Sequence, residues 1–167
     1  REGLAEYIDV FCEQGYFDLE DTRRIVEKGN ELGLKSRLHV NQFNSFGAIQ
    51  LSKQLGVLSV EHLEVLTQED LETLKDSGLI PVSLPACSFF LSIPYTPARE
   101  IIDADLPVVL ASDFNPGSSP ISDLHFVMSL ASIKQNLLPE ESLNALTVNA
   151  AHALEIEKDY GSIAIGK

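Results

Sequence analysis

Residues 36–62, SRLHVNQFNSFGAIQLSKQLGVLSVEH, carry the pattern from which the fold is read. They open on a β-prone run at residues 36–40 and turn to helical spacing near residues 46–55. The helix is closed by Gly56, and a second β-prone run follows at residues 57–62. Strand, helix and strand in immediate succession are the pattern of consecutive βα units, not of a sandwich or a bundle. The same alternation extends in both directions. Upstream lie a strand at residues 7–11 and a helix that Asp18 caps, with Leu19, Ile25, Val26 and Leu32 in helical spacing until Gly33. Downstream, a helix opens at Thr67 with acidic residues in its first turn and closes at Gly78, and residues 79–84 form a strand. Then come a helix at 97–104, a strand at 107–111 and a long helix at 121–135, and Pro139-Glu140-Glu141 opens the last helix. No Gly/Ser linker divides the chain, so one contiguous α/β unit is expected. About five βα units with near-continuous apolar strands fit either a doubly wound sheet or part of a (β/α)8 barrel.

Composition narrows the classes of function. A chain of 167 residues, 44% hydrophobic and 22% charged, suits a soluble globular domain. No apolar run approaches the roughly 20 residues that span a bilayer, and no charged-then-apolar leader opens the sequence, so a cytoplasmic location is expected. The net charge of -13 repels phosphate backbones and anionic lipid, and no basic cluster interrupts it; neither nucleic acid nor membrane is expected as a partner. Cys12 and Cys87 are far apart, outside any Cys-x-x-Cys pair, and read as buried small hydrophobes. The chain begins at Arg1 and stops just after a strand-like Ser162-Ile163-Ala164-Ile165; both ends read as cut.

The polar residues bear on chemistry. His39, His62 and Asp113 each stand at or near the end of a buried strand. In a (β/α)8 barrel such ends converge on one mouth, and two histidines with an aspartate are the residue types that hold Zn(II) or Fe(II) and move protons. Each residue alone has a plainer role, as a hydrogen-bonded structural histidine or a loop-starting cap, and a doubly wound enzyme also places its site at strand ends. His125 and His152 fall inside helical patterns and are read as ordinary helix residues.

Three words occur in order: His39-Val40-Asn41-Gln42-Phe43, Ser59-Val60-Glu61-His62-Leu63-Glu64, and Ala111-Ser112-Asp113-Phe114-Asn115-Pro116-Gly117-Ser118. Together they closely resemble the imidazolonepropionase family of the amidohydrolase superfamily. The resemblance covers essentially the whole chain, and the Asp-x-Asn-Pro-Gly-Ser word is its most specific part; Thr147-Val148-Asn149-Ala150-Ala151 is common to the wider superfamily. It implies the C-terminal part of a metal-dependent-hydrolase TIM barrel, truncated at both ends. Residues 1–160 would belong to the barrel, and 161–167 would start a strand returning to a small β-sandwich. It further implies one divalent metal, Zn(II) or Fe(II), held by His39 and Asp113. His62 and Asp113 would be catalytic, and Gln42, Asn115, Gly117 and Ser118 would hold the small-molecule substrate, 4-imidazolone-5-propanoate. The product would be N-formimidoyl-L-glutamate, and the full-length parent could be a homodimer.

Two features depart from the family. Gln42 stands where many members carry glutamate, and a neutral amide orients a group better than it accepts a proton, so the base is assigned to Asp113. Its plainer role is an amide that caps the loop after the strand. The His-x-His pair expected on the first barrel strand is absent from these residues. Alternative readings are another deaminase or cyclic amidase of the superfamily, or a half-barrel that binds without catalysis.

Overall fold

A computed structural model describes residues 3–167. Five strands, β1 (Tyr7–Cys12), β2 (Lys35–Val40), β3 (Ser59–His62), β4 (Ile80–Ser83) and β5 (Val109–Leu110), alternate with helices along the chain. The chain sorts into two compact units, one ending at Pro81 and the other beginning at Val82. One contiguous unit was expected because no linker is visible; the boundary falls inside β4, where no loop composition could mark it.

In the first unit, β1, β2 and β3 pair in parallel. Helix α1 (Leu19–Glu31) returns the chain from β1 to β2, α2 (Ala48–Leu55) from β2 to β3, and α3 (Gln68–Lys75) leaves β3. Parallel strands require such crossovers. The expected caps are present: the Asp18 carboxylate accepts from the Asp21 N–H at 2.8 Å, and Gly56 ends α2 with φ +65°. Thr67 and Asp70 form a capping box at the start of α3. One sheet face presents Val10, Leu38, Val40 and Val60, all buried, to α1 and α2, whose Val26 and Ile49 are fully buried in turn. Each such side chain contributes about 1.5–3 kcal/mol by leaving water.

In the second unit, β4 pairs with β5 in parallel through Val82–Val109 and Ser83–Leu110. Its helices are α4 (Pro85–Leu91), α5 (Ala98–Asp103), α6 (Leu124–Lys134), α7 (Pro139–Leu146) and α8 (Val148–Ala153). Three expectations are corrected here. The strand expected at residues 107–111 shortens to two residues: Pro107 has no N–H to donate, and the Asn149 side-chain amide takes the Val108 carbonyl at 2.8 Å. The helix opened by Pro139 is not the last, because the chain turns at Thr147 (φ -122°, ψ -80°) and a further helix, α8, follows. Residues 162–165 form no strand; Ile163 and Ile165 are exposed, and among the described residues no ladder partner reaches them. Helix α4 was not anticipated, since Leu84-Pro85-Ala86-Cys87 carries no helical periodicity and its Pro85 to Ser88 turn is wholly buried. Cys12 and Cys87 are free and buried, as expected.

Gly29, mid-helix in α1, allows the helix to lie close on β1: a Cβ there would meet Ile8 Cγ2 at 2.6 Å. Ile8 is β-branched and stiff, so it cannot easily move away. Gly29→Ala should therefore destabilise the protein by about 1–2 kcal/mol despite alanine's better helix propensity, measured by urea unfolding. Unchanged or raised stability would show that α1 does not rest on Ile8.

Candidate functional site

Parallel register gives the first unit's sheet a second, polar face. Asp9 lies beside Arg37, Phe11 beside His39, Arg37 beside Ser59, and His39 beside Glu61. Because alternate residues share a face, these residues line the face opposite the helix-covered one. They are linked in a chain. The Arg37 guanidinium stacks 4.4 Å over the Tyr7 ring and donates to Ser59 Oγ at 3.2 Å, and Ser59 Oγ donates to Glu61 Oε1 at 3.0 Å. His39 Nδ1 lies 2.8 Å from Asp9 Oδ2 and 3.2 Å from Glu61 Oε2. Burial raises the Glu61 carboxyl above its usual range, and the neighbouring His39 pulls it partly back.

Two carboxylates thus flank the Nδ1 edge of the His39 ring at ion-pair distance, an electrostatic contact rather than an aligned hydrogen bond. Possible ligand atoms of Asp9, His39 and Glu61 lie within 4.8 Å of one another.

His62 ends β3 at the register position of Val40, which would turn it toward the helices. Its φ of +83°, followed by +65° at Leu63, breaks that alternation. Its ring centre comes to 5.3 Å from that of His39, and Phe11 stands 6.5 Å from each. His62 Nδ1 lies 3.3 Å from Glu64 Oε1, both side chains being almost fully buried. Both histidines therefore point Nδ1 at a carboxylate. Gln42 is buried two residues beyond β2, just after Asn41 with φ +55°.

The second unit holds Asp113, Asn115, Gly117 and Ser118 on the loop after β5. Asp113 is half-buried with φ +52°. The Asn115 side chain is committed within the loop: Oδ1 accepts from the N–H groups of Gly117 at 2.9 Å and Ser118 at 2.8 Å, and Nδ2 donates to the Asp113 carbonyl at 2.7 Å. Asn115 thus organises the turn, and Gly117 is exposed. Ser119 donates to the Ser112 carbonyl at 2.7 Å, and Asp123 caps α6. His125 and His152 are exposed helix residues.

Of the residues singled out from sequence, the first unit brings His39 and His62 together and carries Gln42 on the loop leaving β2; the other four share one loop of the second unit. Sequence reading missed Asp9, Glu61 and Glu64. A charged residue in the middle of the apolar run Tyr7-Ile8-Asp9-Val10-Phe11 was the available signal for Asp9, and Glu61 and Glu64 flank His62 within a word already quoted.

The profile of the amidohydrolase family matches residues 3–167. The imidazolonepropionase of Christiangramia forsetii is 54% identical over 167 residues, covering 100% of this chain and 41% of that protein. That of Flavobacterium johnsoniae is 54% identical, covering 98% and 40%, and that of Alkaliphilus metalliredigens 40% identical, covering 100% and 40%. The chain thus spans about 40% of the length of these relatives. Among solved structures, a zinc-bound adenosine deaminase of Xanthomonas campestris superposes with a TM-score of 0.78 at 19% identity, covering 98% of this chain and 41% of that one. An atrazine chlorohydrolase mutant of Arthrobacter aurescens, complexed with zinc and atraton, gives 0.73 at 18% identity, covering 96% and 40%. These two likenesses establish the fold.

The left-handed backbone at His62 is costly for any residue with a Cβ, by about 1–2 kcal/mol. Replacing His62 by Gly should leave the protein about 0.5–1 kcal/mol more stable than replacing it by Ala, after glycine's extra chain entropy is allowed for. Chemical denaturation of the two variants measures the difference. An alanine variant at least as stable as the glycine one would mean the backbone there is not strained.

Proposed function

The chain belongs to the amidohydrolase family, and we propose that it is the C-terminal part of the catalytic barrel of an imidazolonepropionase, which opens the ring of 4-imidazolone-5-propanoate with water to give N-formimidoyl-L-glutamate. The observation that carries the hydrolase reading is the paired imidazoles of His39 and His62, each with Nδ1 on a carboxylate and their rings 5.3 Å apart. The names of relatives at 40–54% identity along the whole chain support the substrate. Residues 1–160 then belong to the barrel and 161–167 lead toward a small β-sandwich. The full-length protein would act in the cytoplasm, as a homodimer.

The residue types implied as ligands suit a divalent cation. His39, whose Nδ1 edge faces two carboxylates, would offer Nε2, and Asp113 would offer a hard carboxylate oxygen; imidazole with carboxylate suits Zn(II) and Fe(II) alike. When bound, the metal supplies a water acidified into the neutral range and polarises the substrate carbonyl.

The chain's own residues perform the rest. Asp113 accepts the water proton as the oxygen bonds to the ring carbonyl carbon. His62, steadied by Glu64, delivers a proton to the ring nitrogen as the carbon–nitrogen bond breaks, so the departing nitrogen leaves neutral. Gln42 orients the heterocycle by hydrogen bonding, a task that needs no charge. Asn115 shapes the loop on which Gly117 and Ser118 meet the substrate.

The test is turnover of 4-imidazolone-5-propanoate by the full-length protein, with metal content quantified. Asp113→Asn should lower kcat by about 100-fold to 10,000-fold, the range for loss of a positioned base, and more than Gln42→Ala does. If the full-length protein leaves this substrate intact, the assignment is wrong. If Asp113→Asn keeps its metal and near-parental turnover while Gln42→Ala is dead, the base lies near residue 42.

A further inference from the structure

Two buried carboxylates that the proposed chemistry does not use converge on the loop that leaves β2. Glu13, directly after β1, is fully buried. Its Oε2 accepts from the backbone N–H groups of Phe43 at 2.9 Å and Asn44 at 3.3 Å, and its Oε1 from Asn44 Nδ2 at 3.0 Å and the Gln14 N–H at 2.8 Å. Asp70, in the first turn of α3, is 1% exposed. Its Oδ2 accepts from Ser45 Oγ at 2.7 Å, Asn41 Nδ2 at 3.2 Å and Thr67 Oγ1 at 2.8 Å, and its Oδ1 from Gln50 Nε2 at 3.1 Å. Asn41 donates from the same amide to the Val65 carbonyl at 3.0 Å and receives the Val65 N–H at its own carbonyl at 2.9 Å.

Asn41, Phe43, Asn44 and Ser45 are thus gripped by Glu13, just after β1, and by Asp70, in the first turn of α3, and Gln42 stands between the held residues. Removing a carboxylate from water costs several kcal/mol even after relaxation, so two of them on one five-residue segment exceed what a plain surface connection requires. Asn41 takes φ +55°, a left-handed turn that asparagine tolerates better than most residues, and its bonds to Asp70 and Val65 hold it there. A neutral amide can orient a ligand only as well as its own backbone is fixed, and a misplacement of about 1 Å costs on the order of 100-fold in rate.

We infer that Glu13 and Asp70 are positioning residues that clamp the 41–45 loop and so fix the Gln42 amide against the heterocyclic substrate. This rests on the function proposed above for Gln42.

The test uses the full-length, metal-loaded protein and the variants Asp70→Asn and Glu13→Gln, with Ser45→Ala and Asn44→Ala as milder variants that each remove one bond to a carboxylate. Deuterium exchange reads the clamp without any substrate: the Phe43 and Asn44 amides should be protected in the parent and lose protection on Glu13→Gln or Asn44→Ala, while the Leu38 amide in β2 keeps its protection. Turnover of 4-imidazolone-5-propanoate reads the consequence. The carboxylate variants should lose about 10-fold to 100-fold in kcat/KM at unchanged metal content, and the milder ones about 3-fold to 10-fold. Combined with Gln42→Ala, each should lose less than about twofold more, because the residue being positioned is already gone. A merely structural role gives the full loss again in the Gln42→Ala background, or metal content falling in step with activity; either overturns the inference. Unchanged exchange at Phe43 and Asn44 in every variant also overturns it. Loss of protection in a protein that never turns over the substrate leaves the clamp standing and removes the function assigned to Gln42.

Discussion

The His39 ring stands where three parallel strands are in register, with Asp9 two residues deeper on β1 and Glu61 directly across on β3. Parallel pairing keeps matched residues on one face, so the positions that put Val10, Leu38 and Val60 under the helices necessarily put Phe11, His39 and Glu61 on the other side. A one-residue slip would exchange the two sets and place carboxylates under α1. Hydrophobic packing on one face therefore holds the electrostatics of the other in place. The placing of the His39 ring between Asp9 and Glu61 follows from the strand register.

Where alternation does not serve the site, the backbone departs from it. Asn41, His62, Leu63 and Asp113 all take positive φ, and each ends a strand or lies within three residues of a strand end. Positive φ is uncommon for residues with a Cβ and is tolerated where surrounding bonds over-determine it. At His62 the turn brings the ring beside His39 instead of under the helices. At Asn41 and Asp113 the loop is held by side-chain bonds, from Asp70 and Asn115 respectively. These strained positions sit on rigid strand ends, which is where residues distant in sequence can be positioned most accurately.

Much of this was legible in the sequence, and what was not has physical causes. Asp18, Gly33, Gly56 and Thr67 mark their helix ends because caps and left-handed turns need particular side chains, and the parallel α/β order follows from the alternation of periods. The short α4 and α8 escaped, since a buried turn and a helix of six residues offer too little periodicity to read. The 162–165 segment has the composition of a strand, but a strand also needs a partner. Among site residues, His39 and His62 stood out by type and position. Asp9, Glu61, Glu13 and Asp70 did not, because acidic residues are common in a chain of net charge -13, and only register and burial separate these from the solvated majority.

The account depends most on the proposal that His39 offers Nε2 to a metal while Asp9 and Glu61 flank Nδ1. A crystal structure of the full-length protein with zinc, read by anomalous scattering, tests it directly. The predicted result is a peak about 2.0–2.1 Å from His39 Nε2, with Nδ1 still facing both carboxylates. A peak on the Nδ1 side, among Asp9, His39 and Glu61, would contradict the account and make the carboxylates ligands in their own right.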